Sequence, residues 1–333
     1  MTLAILMAGV MWLGVTLYAL FAGADFGGGF WDLVAGGAKR GQPTRELIEH
    51  SIGPVWEANH VWLIFVLVVM WTCFPRLFGA VASTLWMPFT LAAFGIICRG
   101  SAFAFRKSVH LLWQRRLLGA AFAISSVITP FFLGTIAGAV ASGQVPPGIG
   151  RGDALHSWTT PLSLVTGVLA VAVCGYLAAV YLTGDARRTG DTVLLAGVRR
   201  RALGMGVAAG PVAIGTLLAL HFEAPQLLAS LLSRALPIVA LSIAGGLASL
   251  ALLWWGSFLA ARAAGGVAVA AVLWGWAVAQ YPHLLQTGLT IQQAAAEPSV
   301  LAATAISLAV GALLFIPSLI WLYILFQRGG TDS

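Results

Sequence analysis

The chain is 333 residues long, 59% hydrophobic and only 9% charged, against roughly 25% charged in an average soluble domain. That balance excludes an ordinary water-soluble domain and marks an integral membrane protein. The net charge of +7 would suit a nucleic-acid partner only if basic and aromatic residues shared a face; here the charges follow the connections between apolar runs.

Lipid admits only helices or closed barrels as spanning structures, and a helix needs about 20 residues to cross ~30 Å of hydrocarbon. Apolar runs of that length without two-residue alternation exclude a barrel. In chain order the predicted spans are 1–24, 51–73, 77–98, 117–150, 157–184, 202–222, 235–261, 263–282 and 298–327. The second is apolar except for Glu57 and His60, and His221 ends the sixth. The start, Met-Thr-Leu-Ala, lacks the basic region of a signal peptide, so the first span is expected to be retained.

With nine spans, the odd-numbered connections and the C-terminus share one side. That side holds Lys39, Arg40, Arg45, Arg99, Arg106, Lys107, Arg115, Arg116, Arg187, Arg188, Arg199, Arg200, Arg201, Arg262 and Arg328, or 15 of the 18 basic residues. By the positive-inside rule it is cytoplasmic, which puts the N-terminus outside and the C-terminus inside. No polar connection is long enough to fold alone, so residues 1–333 read as a single membrane domain. Cys73, Cys98 and Cys174 lack paired spacing and read as small buried hydrophobes. Trp254 and Trp255, and Trp274 and Trp276, read as packing residues. Small residues such as Gly245, Gly246, Gly265 and Gly266 mark close helix contact.

Two acids interrupt this apolar pattern. Asp25 sits in Ala-Gly-Ala-Asp-Phe-Gly-Gly-Gly-Phe and Glu57 in Gly-Pro-Val-Trp-Glu-Ala-Asn-His-Val-Trp-Leu. A carboxylate in a bilayer costs several kcal/mol unless paired, hydrated or protonated, so both are candidate proton carriers. Asp25 is expected near mid-membrane and Glu57 about 10 Å into the second span, both in the cytoplasmic half. The first two spans are expected to be antiparallel neighbours. Arg99 closes the third span on the same side, where it would pair with Glu57 or gate it. Glu57 and His60, three apart, share one face with Asn59 close by. Plainer alternatives stand beside these: Asp25 as a structural hydrogen-bond acceptor, Glu57–Arg99 as a structural ion pair, and His60 as a hydrogen-bonded packing residue. No second histidine at matching depth supports a haem in this chain. Walker, dinucleotide and zinc-protease motifs are absent from the sequence.

The strings Gly-Ala-Asp-Phe-Gly-Gly-Gly and Ser-Ile-Gly-Pro-Val-Trp-Glu-Ala-Asn-His-Val-Trp-Leu-Ile resemble subunit II of the cytochrome bd-type quinol oxidases. Pro75, the segment Cys-Arg-Gly-Ser-Ala-Phe-Ala-Phe-Arg at 98–106 and Tyr281-Pro282 extend the resemblance, which is strongest over residues 20–107. It implies an all-α fold of nine transmembrane helices, two four-helix bundles plus one peripheral helix. It implies a bacterial cytoplasmic-membrane complex with a haem-bearing subunit I, which carries two b-type haems, haem d and the quinol site; a small single-helix subunit is a further candidate partner. This chain would carry no cofactor or metal. The complex would oxidise quinol, reduce oxygen to water and draw the protons from the cytoplasm. Asp25, Glu57 and Arg99 then take the proton-path positions, supported by Trp56, Asn59 and His60. A proton-coupled transporter is the alternative function, since glycine-interrupted acidic spans also occur there.

Overall fold

A computed structural model describes residues 2–37, 39–52, 56–106, 108–109 and 111–328. Gly53, Pro54 and Val55 of the second motif lie outside the described residues, as does the side chain of Trp56. The first helix, α1 (Leu3–Leu33), runs well past the predicted end at residue 24. It continues because Asp25 and the glycines around it keep helical geometry once neighbouring helices enclose them.

Amphipathic α2 (Gln42–Ile52) reaches the start of the predicted second span, and α3 (Trp56–Cys73) makes up most of it. The predicted third span divides. α4 (Pro75–Thr84) turns away from α3 by 118°. Pro75, at the first position of α4, has no N–H to continue α3 and restricts the residue before it. The crossing helix is instead α5 (Trp86–Arg106), followed by α6 (Leu112–Ala141), α7 (Pro161–Arg188) and α8 (Thr192–Glu223). Short α9 (Pro225–Leu231) leads to α10 (Leu236–Trp255) and α11 (Phe258–Gln280).

Residues 283–297, read from sequence as a plain loop, form a small cap. Strands β1 (His283–Leu285) and β2 (Leu289–Thr290) pair antiparallel, and α12 (Ile291–Ala294) begins with a Thr290–Gln293 capping box. The Ala296 N–H donates to the carbonyl of Cys73 at 2.8 Å, and the Arg76 guanidinium donates to that of Gln293 at 3.2 Å. These bonds tie the cap to the α3–α4 bend. The last helix is α13 (Pro298–Arg328).

Among the described residues eight helices are long and apolar enough to cross a membrane, or nine if the bent α3–α4 pair counts as one span. α1 is the hub: it packs on α3, α6 and α7 and touches α11 and α13. The strongest further pairings are α5 on α6, α6 on α7, α7 on α8 and α10 on α11, while α13 lies against α3 and α1. One apolar cluster, with Met7, Met11, Phe74, Leu85 and Leu285, surrounds the start of α1. A second, with Trp31, Leu47, Leu182, Leu253 and Phe258, surrounds its end. Asp25 lies between the two.

Small residues set the α1–α7 spacing. A Cβ on Gly27 would sit 1.8 Å from the Cys174 carbonyl oxygen, a backbone atom that cannot step aside. Gly245 serves the α10–α11 contact, 3.1 Å from the Ala264 carbonyl, whereas Gly246 faces open space. Trp276 meets Trp12 edge-on, but Trp254 and Trp255 are exposed at the end of α10 instead of packed. Cys73 and Cys174 are buried and Cys98 is half-buried. The Gly27→Ala chain should lose about 3 kcal/mol through forced separation of α1 and α7, measured as a lower thermal midpoint of the purified assembly.

Candidate functional site

The site is a polar island inside apolar helices. Asp25 points off α1 and is 4% exposed. Its Oδ2 accepts a hydrogen bond from Asn59 Nδ2 at 2.8 Å, across the α1–α3 contact. Arg99 projects from α5 and is 1% exposed, the largest side chain with almost no solvent contact. Its fork is divided among three elements. Nη2 donates to the main-chain carbonyl of Asp25 at 3.0 Å, Nε donates to Ser126 Oγ of α6 at 3.0 Å, and Nη1 lies 3.5 Å from His60 Nε2 of α3. Phe26 and Phe122 each place their ring centroid 5.1 Å from the guanidinium carbon, a cation–π arrangement that strengthens where water is excluded.

Ser126 passes its own proton to the Phe122 carbonyl at 2.7 Å, leaving its lone pairs for Arg99. Gly29 makes that contact possible. A Cβ there would fall 2.1 Å from Ser126 Oγ. Tyr18 stacks obliquely on His60 at 6.0 Å and edge-on to Phe26 at 6.5 Å, and its buried hydroxyl has no hydrogen-bond partner among the described residues.

The structure thus brings Asp25, Asn59, His60 and Arg99 into one cluster. Glu57 is not part of it: it stands in the first turn of α3 and is exposed on the surface of this chain. The expectation placed Glu57 about 10 Å inside a span; on this chain its side chain is exposed. No described residue forms an ion pair with Glu57. Arg99 pairs instead with the backbone of Asp25, and it lies two turns before the end of α5. Trp56 opens α3, but its side chain lies outside the described set.

Sequence reasoning passed over Tyr18, Ser126 and Phe122. The available signals were positional. Tyr18 is seven residues before Asp25, hence on the same helical face, and Ser125, Ser126 and Thr129 form a polar stripe in an otherwise apolar helix. His60 turns Nε2 toward a guanidinium, an environment that fits hydrogen bonding and not an iron ligand. No cluster of three metal-binding side chains occurs among the described residues.

The arrangement holds a carboxyl group, an amide, a hydroxyl and an imidazole around one buried cation. The sequence pattern of cytochrome bd terminal oxidase subunit II matches residues 3–326. The chain belongs to that family.

Relatives agree. Cytochrome bd ubiquinol oxidase subunit 2 of Bacillus subtilis is 33% identical over 127 residues, 37% of this chain and 37% of that protein. Cytochrome bd-I ubiquinol oxidase subunit 2 of Escherichia coli K12 is 25% identical over 183 residues, 53% of this chain and 46% of its own length. These matches span less than half of either relative. Across the whole fold, a chain in the structure of bd oxidase from Geobacillus thermodenitrificans superposes with a TM-score of 0.80 at 26% identity, covering 98% of this chain and 99% of that one. The family and the apolar helices make this a multi-pass protein of the bacterial cytoplasmic membrane.

Replacing Arg99 by Lys keeps a charge but not the planar fork. With at least one charged hydrogen bond lost in a dry site, the Arg99→Lys assembly should be destabilised by about 3 kcal/mol, read as a fall in thermal midpoint.

Proposed function

We propose that this chain is the haem-free subunit II of a quinol:oxygen oxidoreductase. It supports a subunit I that carries two b-type haems, haem d and the quinol site, and it contributes the route by which protons reach the oxygen-reducing centre from the cytoplasm. Those cofactors supply the electron transfer and oxygen chemistry. This chain's residues handle protons. The nine-span reading, with the N-terminus outside, two four-helix groups (α1, α3, α5, α6 and α7, α8, α10, α11) and α13 at the periphery, is supported by the pairing of helices and by the placement of basic residues. Membership in an oxidase subunit family favours this function over the transporter alternative.

The observation that carries the reading is Asp25: a carboxyl group buried where four helices meet, bonded to an amide and facing a guanidinium that binds its own backbone. Here Asn59 can hold the carboxylate or yield to a proton, while Arg99, bonded elsewhere, raises the local positive potential without neutralising Asp25 in a closed ion pair. Glu57, at the chain surface, would act at a contact with a partner or with water at the helix end.

The test is the complete complex with Asp25→Asn and, separately, Glu57→Gln. Asp25→Asn should slow quinol-driven oxygen consumption by about 100-fold, the low end for a missing acid–base group, with haem spectra and quinol binding retained. Glu57→Gln should have a smaller effect because water can replace an exposed group. Parent turnover in an intact Asp25→Asn complex would sink the proton role.

A further inference from the structure

The polar island stops short of water, and the structure shows where water approaches it. An open cleft of ≈ 770 Å³ lies between the end of α1, the helix α2 and the first turns of α6. At about 30 Å³ per water it has room for many water molecules. Three acids reach it: Asp32 from α1, and Glu46 and Glu49 from α2. Three cations offset them: Arg45, Arg115 and Arg116. Asp32 differs from the other two acids. It is only 6% exposed, yet it lines the cleft, and its Oδ1 accepts Arg45 Nε at 2.7 Å. Arg45 Nη2 also donates to the Gly36 carbonyl at 2.6 Å, so the guanidinium ties α2 to the loop after α1.

Asp32 and Asp25 are seven residues apart on a continuous helix. Two turns return to nearly the same face, and the rise between them is about 10 Å. The positions between them on that face are Gly28 and Gly29, both buried, and Gly29 lies directly against Ser126 of α6. The facing wall of α6 repeats the pattern. Gly119 and Ala123 line the cleft, and one turn further on the same face Ser126 holds Arg99. The α1–α6 contact between the cleft and the buried cluster is therefore made of small residues, with the Ser126 hydroxyl at its inner end.

We propose that this cleft is the cytoplasmic mouth of the proton route and that Asp32 is its intake relay, passing protons across the α1–α6 contact at Gly29 and Ser126 to Asp25. The Asp32 carboxylate takes a proton from cleft water and releases it through bridging water toward Asp25, returning to its charged form beside Arg45. Arg45 is a positioning residue that holds Asp32 at the rim. This assignment rests on the proton role of Asp25 proposed above.

The experiment uses the full complex in inside-out vesicles and reads both steady-state oxygen consumption and proton uptake during single-turnover oxygen reduction. Asp32→Asn should slow proton uptake at least 10-fold with unchanged haem spectra, and Asp32→Glu should recover most of it. An independent arm places a thiol in the cleft as Gly119→Cys, where nothing lies within 4 Å of the added Cβ. A membrane-impermeant cationic thiosulfonate, added to the cytoplasmic face, should slow that complex at least 5-fold relative to the same complex without reagent, with no comparable effect on the parent. If Asp25→Asn is slow but Asp32→Asn runs at the parent rate, the mouth lies elsewhere and the proposal falls. Parent rates in both variants overturn the Asp25 role itself. Should Asp32→Asn fail to assemble, the labelling decides: loss of rate on labelling from the cytoplasmic face upholds the cleft, and labelling without effect, or only from the opposite face, overturns it.

Discussion

The rest of the structure depends on the burial of one guanidinium. Arg99 cannot lose its charge, and it has almost no solvent to share it with. An unpaired cation in such a place would cost far more than the fold could offset. The protein meets that constraint with donors and rings from separate elements: the Asp25 carbonyl and Phe26 from α1, His60 from α3, and Ser126 and Phe122 from α6. These contacts in turn fix how closely the helices approach. α1 must pass within hydrogen-bond reach of α5 while lying against α6 and α7, and only glycine fits at positions 27 and 29. The glycine-rich motif is thus the consequence of placing a charged side chain among five helices.

That placement also explains why Asp25 is not locked in an ion pair. Arg99 binds the main chain of Asp25, and the carboxylate takes its hydrogen bond from Asn59. The main chain and the side chain of one residue thus hold different partners.

The two apolar clusters at either end of α1 make this polarity tolerable. Around Met7, Phe74 and Leu85 the core is dry and closed by the hairpin cap, and around Trp31, Leu182 and Phe258 a second core holds α1 against α7 and α8. Between them the helix carries a polar patch that neither cluster could host. The far end of α1 meets α2 through Arg45 and Asp32, and there the helix packing opens to solvent.

Much of this was legible in the sequence. Low charge and long apolar runs determined a membrane-embedded helical protein, since lipid leaves no other way to satisfy the backbone. An acid in a glycine-rich apolar run marked Asp25, which lies at the centre of the buried polar cluster. Composition could not decide where helices break. Pro75 alone does not reveal a 118° turn, and the apolar run around Glu57 does not show that its side chain is exposed on the chain surface. Nor could spacing pair Arg99 with the backbone of Asp25, because that contact joins positions 74 residues apart. Periodicity reports which residues share a face of one helix. Which faces then meet is set by close packing between helices, and only the tertiary structure decides it.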